Sequence, residues 1–373
     1  MAKKAKLWPV LDGAFWLIGA SPDLAELMPD GQIASRAVVA PRHECVDHHI
    51  FQSVDGAWHL WGCVRRTPVG RILYHWEAQS LTQSPWQQTG EIIRVDRQAG
   101  ESLDNWRGEE WIQSPYVVHH AGIYHMFYGG HGTGVDARGN LVQRGDPRMA
   151  CQICLMTSVD GRQWTRRRNE EGYSRLFLGP GETRDPCAIE IDGLWHLYYA
   201  GYHGDDPSQA GFYVRTSTDL LHWSDWRLVH QDRRYGGGPW DTECPHVVFR
   251  AGYYYLFRTE DYASARTHVF RSEDPLDFGV GDASDKYVGT IAVAAPEIVV
   301  DCNGVEYITS NHDLRGGTRL CKLKWDYVQA QSSPSDRGRR RQIHRRSSSS
   351  DRGRRRQIHR RSHICSRSPR WQI

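Results

Sequence analysis

Five times along the chain a short polar segment, closed by proline in four of the copies, is followed about seven residues later by a glycine and then by a run of aromatic and branched residues. The copies run from Asp47-His48-His49 to Gly56 and Trp58–Trp61, from Ser114-Pro115 to Gly122 and Ile123–Tyr128, and from Asp185-Pro186 to Gly193 and Leu194–Tyr199. Two more run from Cys244-Pro245 to Gly252 and Tyr253–Phe257, and from Ala295-Pro296 to Gly304 and Val305–Ile308. Aromatic and branched runs bounded by Gly, Pro and Asp read as strands joined by tight turns, so each copy predicts a hairpin. The spacing of about 50 to 70 residues matches one four-stranded propeller blade with its loops. The pattern therefore predicts an all-β chain built as a five-bladed β-propeller.

A second element repeats in phase with the first. Ser158, Asp160 and Trp164 recur as Ser217, Asp219 and Trp223, and more loosely as Ser272, Asp274 and Phe278, each group following a short strand. Asp and Gly close such turns, and the aromatic residue is expected to pack back between neighbouring sheets. No window shows a 3.6-residue period for more than two turns, so helices should be few and short. Gly317 to Trp325 alternates apolar and polar residues and reads as a late strand of the fifth blade. Residues 1–40 are expected to supply a closing strand or a small lid, and residues 1–328 together the propeller.

Past residue 328 the composition changes. Asp336 to Ser347 recurs unchanged as Asp351 to Ser362, and from Ser335 onward there are fourteen Arg and two Asp, a net charge of +12. The formal +3 of the whole chain then leaves about −9 for the body. Residues 329–373 can bury no core and read as a disordered Arg/Ser-rich tail or a reading-frame artefact. Such a run could bind nucleic acid, but the acidic body would repel phosphate and argues against that partner.

The remaining composition changes the picture little. Fifteen Trp and seventeen Tyr suit sheets. No apolar stretch approaches the roughly 20 residues that span a bilayer. Lys3, Lys4 and Lys6 precede Leu7–Leu11, but Asp12 interrupts the apolar run, so a cytoplasmic location is expected, with secretion as the alternative. Nine scattered cysteines in so long a chain point to reduced thiols. Cys151 and Cys154 lie three apart on a strand and should face opposite ways, and no histidine spacing matches a zinc site, so neither metal nor organic cofactor is expected. Nothing in the sequence speaks to oligomeric state.

The candidate chemistry lies in the repeat. Three copies carry a carboxylate just before the first strand: Asp47, Asp185 and Glu243. In a ring, those positions converge at one end of the central channel. Carboxylates sharing a pocket repel one another, which raises at least one pKa and separates a proton donor from an ionised partner. Cleavage of a glycosidic bond needs that division of labour. Trp240, three residues before Glu243 on a glycine-rich loop, and Trp111, before Ser114-Pro115, are candidate platforms for a sugar face. Arg184 is a candidate substrate-binding cation, and His48 and His246 candidate polar contacts near the same channel end. The paired acids Glu109-Glu110, Glu170-Glu171 and Asp205-Asp206 have no counterpart in the other copies and read as solvated loop charges.

Arg184-Asp185-Pro186 and Glu243-Cys244-Pro245, about sixty residues apart, resemble the Arg-Asp-Pro and Glu-Cys-Pro motifs of glycoside hydrolase family 32, the invertase and fructanase group. More loosely, residues 40 to 325 resemble the family 43 arabinosidases and xylosidases. The resemblance implies a five-bladed propeller acting on a carbohydrate, with Asp185 stabilising the transition state and Glu243 as acid/base. Asp47 is the positional counterpart of the family 32 nucleophile, without its Asn and Pro neighbours. No separate β-sandwich follows the ring, another departure. The expected activity is hydrolysis of a small glycoside or of an oligosaccharide end, and the alternative is a propeller that binds carbohydrate without cleaving it.

Overall fold

The computed structural model describes residues 7–27, 43–101, 110–131, 151–202 and 209–327, so the basic segment after residue 328 lies outside the described residues. The strands form five antiparallel meanders. Unit I holds β3 (Glu44–Gln52), β4 (Trp58–Thr67), β5 (Gly70–Ala78) and β6 (Gln87–Ile93), and unit II holds β7 (Glu110–His120), β8 (Ile123–His131), β9 (Cys151–Ser158) and β10 (Thr165–Arg166). Unit III holds β11 (Thr183–Ile191), β12 (Leu194–Tyr202), β13 (Ala210–Ser217) and β14 (Arg227–His230). Unit IV holds β15 (Glu243–Arg250), β16 (Tyr253–Asp261), β17 (Arg266–Ser272) and β18 (Tyr287–Ala292). In unit V, β19 (Ile298–Val300), β20 (Glu306–Ser310) and β21 (Gly317–Tyr327) are completed from the other end of the chain by β1 (Leu7–Leu11), antiparallel to β21. The short strand β2 (Trp16–Ala20) also pairs with β21. A two-residue parallel bridge, Gly70 with Glu110 and Arg71 with Trp111, joins units I and II at one corner.

Apolar side chains from successive units fill the spaces between the sheets. Trp61 and Leu73 meet Met126 and Tyr128 between units I and II, and Phe127, Tyr198, Phe212, Leu256 and Phe270 carry the core from unit II through unit IV. Tyr255 and Phe257 meet Ile308 and Leu323, and Tyr307 and Leu320 meet Leu60 and Trp76, which brings unit V back against unit I. Radial packing of this kind protects sheet edges, and each buried aromatic contributes about 1.5–3 kcal/mol. Among the described residues the helices are single 3-10 turns, at Arg97–Ala99, Arg233–Tyr235 and Pro239–Asp241.

The second repeated element closes the turn after the third strand of units II, III and IV. Ser217 Oγ accepts from the Asp219 and Leu220 N–H groups, and Asp219 Oδ1 from those of Leu221 and His222. Ser158 and Asp160 repeat these bonds in unit II. The following aromatic reaches into the preceding unit, Trp223 lying edge-on to Phe127 at 5.7 Å and Phe278 to Tyr198 at 6.2 Å. One expectation fails. Glu110, expected as a solvated loop charge, is buried at the start of β7 and paired with Arg94, because the parallel bridge to β5 draws that corner into the sheet.

Candidate active site

A proline in a first strand offers no N–H to the ladder, which favours a bulge where it sits. The first strands of units II, III and IV bulge there, between Gln113 and Tyr116, Arg184 and Cys187, and Glu243 and His246, and that of unit I bulges at the equivalent place, between Cys45 and His48, without a proline. The residue before each proline takes positive φ: 52° at Ser114, 56° at Asp185, 53° at Cys244 and 47° at Ala295. Side chains other than glycine pay about 1–3 kcal/mol for such backbone, and it persists only where the surroundings impose it. The bulges turn their side chains inward, and one segment from each unit lines a narrow central space of about 20 Å³: Asp47-His48, Ser114-Pro115, Asp185-Pro186, Cys244-Pro245 and Ala295 to Glu297.

That space shares Asp47 and Asp185 with a wider cavity of about 470 Å³, also lined by Glu243, Arg184, Arg71, Gln113, Trp240 and Tyr262. The three candidate carboxylates thus lie in one cavity, but not in one register. Counting back two residues from the partner of the second-strand aromatic (Trp61, Phe127, Tyr198 or Phe257), the equivalent residues are Asp47, Ser114, Asp185 and Cys244. Glu243 stands one residue earlier, in register with Gln113 and Arg184. The expectation of a common position is corrected to two adjacent positions, both facing the cavity because the bulge suspends the strict alternation of the strand.

The electrostatics separate the acids. Burial works to raise the Asp47 carboxyl, but hydrogen bonds from Tyr262 and Ser114, with Arg71 nearby, hold it below its ordinary value. Ser114 Oγ lies 2.8 Å from Asp47 Oδ2 and 2.7 Å from Asp185 Oδ1. A hydroxyl has one proton, so it can donate fully to only one of them. Burial raises Asp185, helped by the charge of Asp47 and opposed by Arg184, and the Cys244 N–H donates to its second oxygen at 3.1 Å. Burial pushes Glu243 up to about 8, against Arg184 and with Asp185 and Asp47 adding to the rise. Its side chain keeps 18% exposure to the cavity. Buried Arg184 binds the set together, with nitrogens 3.0 Å from Glu182, 3.4 Å from Asp185 and 3.5 Å from Glu243.

The other candidates divide. Trp240 lines the cavity with 60% of its surface exposed, and the Arg184 guanidinium lies 5.2 Å from its ring, leaving an open face. Trp111 is displaced from the lining: its ring is covered by the Arg71 guanidinium at 3.9 Å, and its Nε1–H donates to Gln113. His48 faces the narrow central space, where burial lowers its pKa to about 4. His246, expected near the channel end, is turned into the sheet interface instead, where its Nε2 accepts from the Ile298 N–H at 3.0 Å. Sequence reasoning passed over Ser114, Arg71, Tyr262 and Glu297. Ser114 stands at the register position of the acids but is no acid. Glu297, 2.5 Å from His49 Nδ1, follows the Pro of unit V by one residue.

Two groups of candidate metal ligands occur among the described residues, Asp47 with Asp185 and Cys244, and His59 with His75 and Glu77. In the first, the oxygens already accept from Ser114, Tyr262 and the Cys244 N–H, a donor set suited to holding protons. All eight cysteines among the described residues are free thiols.

No family model matches the chain, and no curated protein does. Its likeness is to solved structures. A thermostable family-43 glycoside hydrolase superimposes with a TM-score of 0.53 at 17% identity, over 80% of this chain and 94% of its own. An exo-1,5-α-L-arabinanase from a bovine ruminal metagenomic library gives 0.51 at 16% identity, over 76% and 94%. A GH43_1 enzyme from Xanthomonas citri, complexed with xylotriose, gives 0.50 at 14% identity, over 78% and 89%. Family 43 was the looser of the two resemblances drawn from sequence. At these identities the shared property is the fold, and the chain is an all-β propeller of the kind these glycoside hydrolases use.

Proposed function

We propose that this propeller is a glycoside hydrolase, with Glu243 as the proton donor, Asp47 as the ionised nucleophile or base, and Asp185 as the carboxylate that stabilises the transition state. One observation carries the reading: Glu243 and Asp47 line the same cavity, and their surroundings push their pKa values in opposite directions. At neutral pH Glu243 can still lend a proton to a leaving oxygen, while Asp47 has none to hold. Arg184, touching both Asp185 and Glu243, fixes their orientation, and the open face of Trp240 offers a stacking surface for a sugar ring. The arabinanase and the xylotriose complex among the structures of similar fold favour a pentose-containing glycoside or oligosaccharide end as substrate.

The test is Glu243→Gln assayed on aryl arabinofuranosides and xylosides of graded leaving group. Loss of the general acid should cost about 10²–10⁴-fold in kcat/KM for poor leaving groups and far less for good ones. Equal rates for the two enzymes on poor leaving groups would refute the assignment.

A further inference from the structure

Away from the cavity, the β4–β5 hairpin of unit I carries a polar cluster that the proposed hydrolysis does not use. His59 is paired across the ladder with Glu77, and Trp61 with His75, so His59, His75 and Glu77 share one face of the sheet. His59 Nδ1 lies 3.0 Å from His75 Nε2 and 4.0 Å from Glu77 Oε2, and both histidines are fully buried.

The outer nitrogens of the two rings are already committed. His59 Nε2 is 2.9 Å from Ser53 Oγ, whose own proton goes to Asp55 or to the Ala57 carbonyl, so Ser53 must accept and His59 must carry its hydrogen on Nε2. His75 Nδ1 is 3.1 Å from Thr89 Oγ1, which donates to the His75 carbonyl, and 3.3 Å from Glu91 Oε2. With the Thr89 hydroxyl donating to that carbonyl and the Glu91 carboxylate able only to accept, His75 carries its hydrogen on Nδ1. These assignments follow from the hydrogen-bond network. They leave His59 Nδ1 and His75 Nε2 aiming lone pairs at each other, with a carboxylate alongside. Two lone pairs 3.0 Å apart repel unless they share a cation, a proton or a metal ion.

We propose that His59, His75 and Glu77 form a divalent transition-metal site, of the type that takes Zn²⁺, in the outer part of unit I. Tetrahedral zinc with bonds of about 2.0–2.2 Å needs ligand atoms roughly 3.3 Å apart, and the three ligand atoms here all lie within 4.8 Å of one another. Ser53 on one ring, and Thr89 with Glu91 on the other, are the outer partners that fix tautomer and ring orientation in such sites. Glu77, partly exposed, gives the ion its way in from the surface. Arg162 reaches the same carboxylate from the turn after β9, so a metal there would tie the ion to the contact between units I and II. The site is independent of the proposed glycosidase activity.

The experiment is titration of the metal-free full chain with ZnCl₂, and with CoCl₂ followed by visible absorption. Wild type should bind one more equivalent of zinc than His59→Gln or His75→Gln, and the cobalt bands of a tetrahedral nitrogen and oxygen site should vanish in both variants. Thr89→Val, which removes only an outer partner, should weaken binding about 10–100-fold. Circular dichroism establishes that each variant is folded. If it is not, Glu77→Gln, at a partly exposed position, supplies the same comparison. Equal stoichiometry in wild type and variants would overturn the proposal, as would wild type without the cobalt bands, which would leave only a proton shared between the rings.

Discussion

The outer turns and the inner bulges of the repeat vary in opposite ways. After the third strands of units II and III the same side chains return in the same roles, Ser158 and Ser217 capping the turn and Asp160 and Asp219 accepting two backbone N–H groups each. Just before the inner prolines the backbone repeats, with φ between 47° and 56° in four units, but the side chains do not: Ser114, Asp185, Cys244 and Ala295 are four different chemistries on one conformation. A position whose task is to close a turn needs the same groups each time. Positions that face a common cavity each supply a different part, here an ionised acceptor, a hydroxyl, a cation and a proton donor.

Substitutions at the two kinds of position should therefore separate catalysis from stability. The largest effect is expected for Asp47→Asn, which removes the ionised carboxylate: kcat/KM should fall about 10²–10⁴-fold in a folded protein, measured on an aryl glycoside with circular dichroism as the control. Ser114→Ala breaks the link between Asp47 and Asp185. A hydrogen bond to a charged group is worth about 1.5–3 kcal/mol, so kcat/KM should fall about 10–100-fold, and the acid limb of the pH profile should move up because both carboxyls lose a bond that lowers their pKa. At the outer turn, Asp219→Ala should leave kcat unchanged and cost about 1 kcal/mol of stability, read as a midpoint shift in urea. Loss of activity in Asp219→Ala with unchanged stability would dissolve the distinction.

The raised pKa of Glu243 also makes a stability prediction. A glutamate in the unfolded chain ionises near its ordinary value of 4.5, whereas the folded protein keeps this proton up to about 8. Between those values the unfolded state binds fewer protons, so Glu243 lowers stability as pH rises through the window. Glu243→Gln should accordingly raise Tm relative to wild type at pH 8, and the gain should shrink towards pH 4. A difference in Tm independent of pH would mean that Glu243 is not held protonated by the fold.

Much of the architecture was legible because it repeats. Gly56, Gly122, Gly193, Gly252 and Gly304 mark the hairpins, and the Ser and Asp of the outer turns mark the third strands. The register of Glu243 was not legible, because a bulge inserts one residue and only the ladder reveals which of two neighbours lies opposite a given partner. Ser114 escaped notice since its role depends on two carboxylates more than sixty residues away. His246 misled for the reverse reason: its place after a proline suggested the channel, but the residues past the bulge alternate again and turn its ring into the interface with unit V. His59 and His75 are sixteen residues apart, and only the pairing of β4 with β5 brings their rings together.

The central claim is that one cavity holds a glutamic acid and an aspartate in different protonation states near neutral pH. Infrared difference spectroscopy across a pH titration, comparing wild type with Glu243→Gln, reads this directly. The account predicts a protonated-carboxyl band that disappears as pH rises through about 8 and is missing from the variant. A wild-type protein with no such band above pH 6 would contradict it.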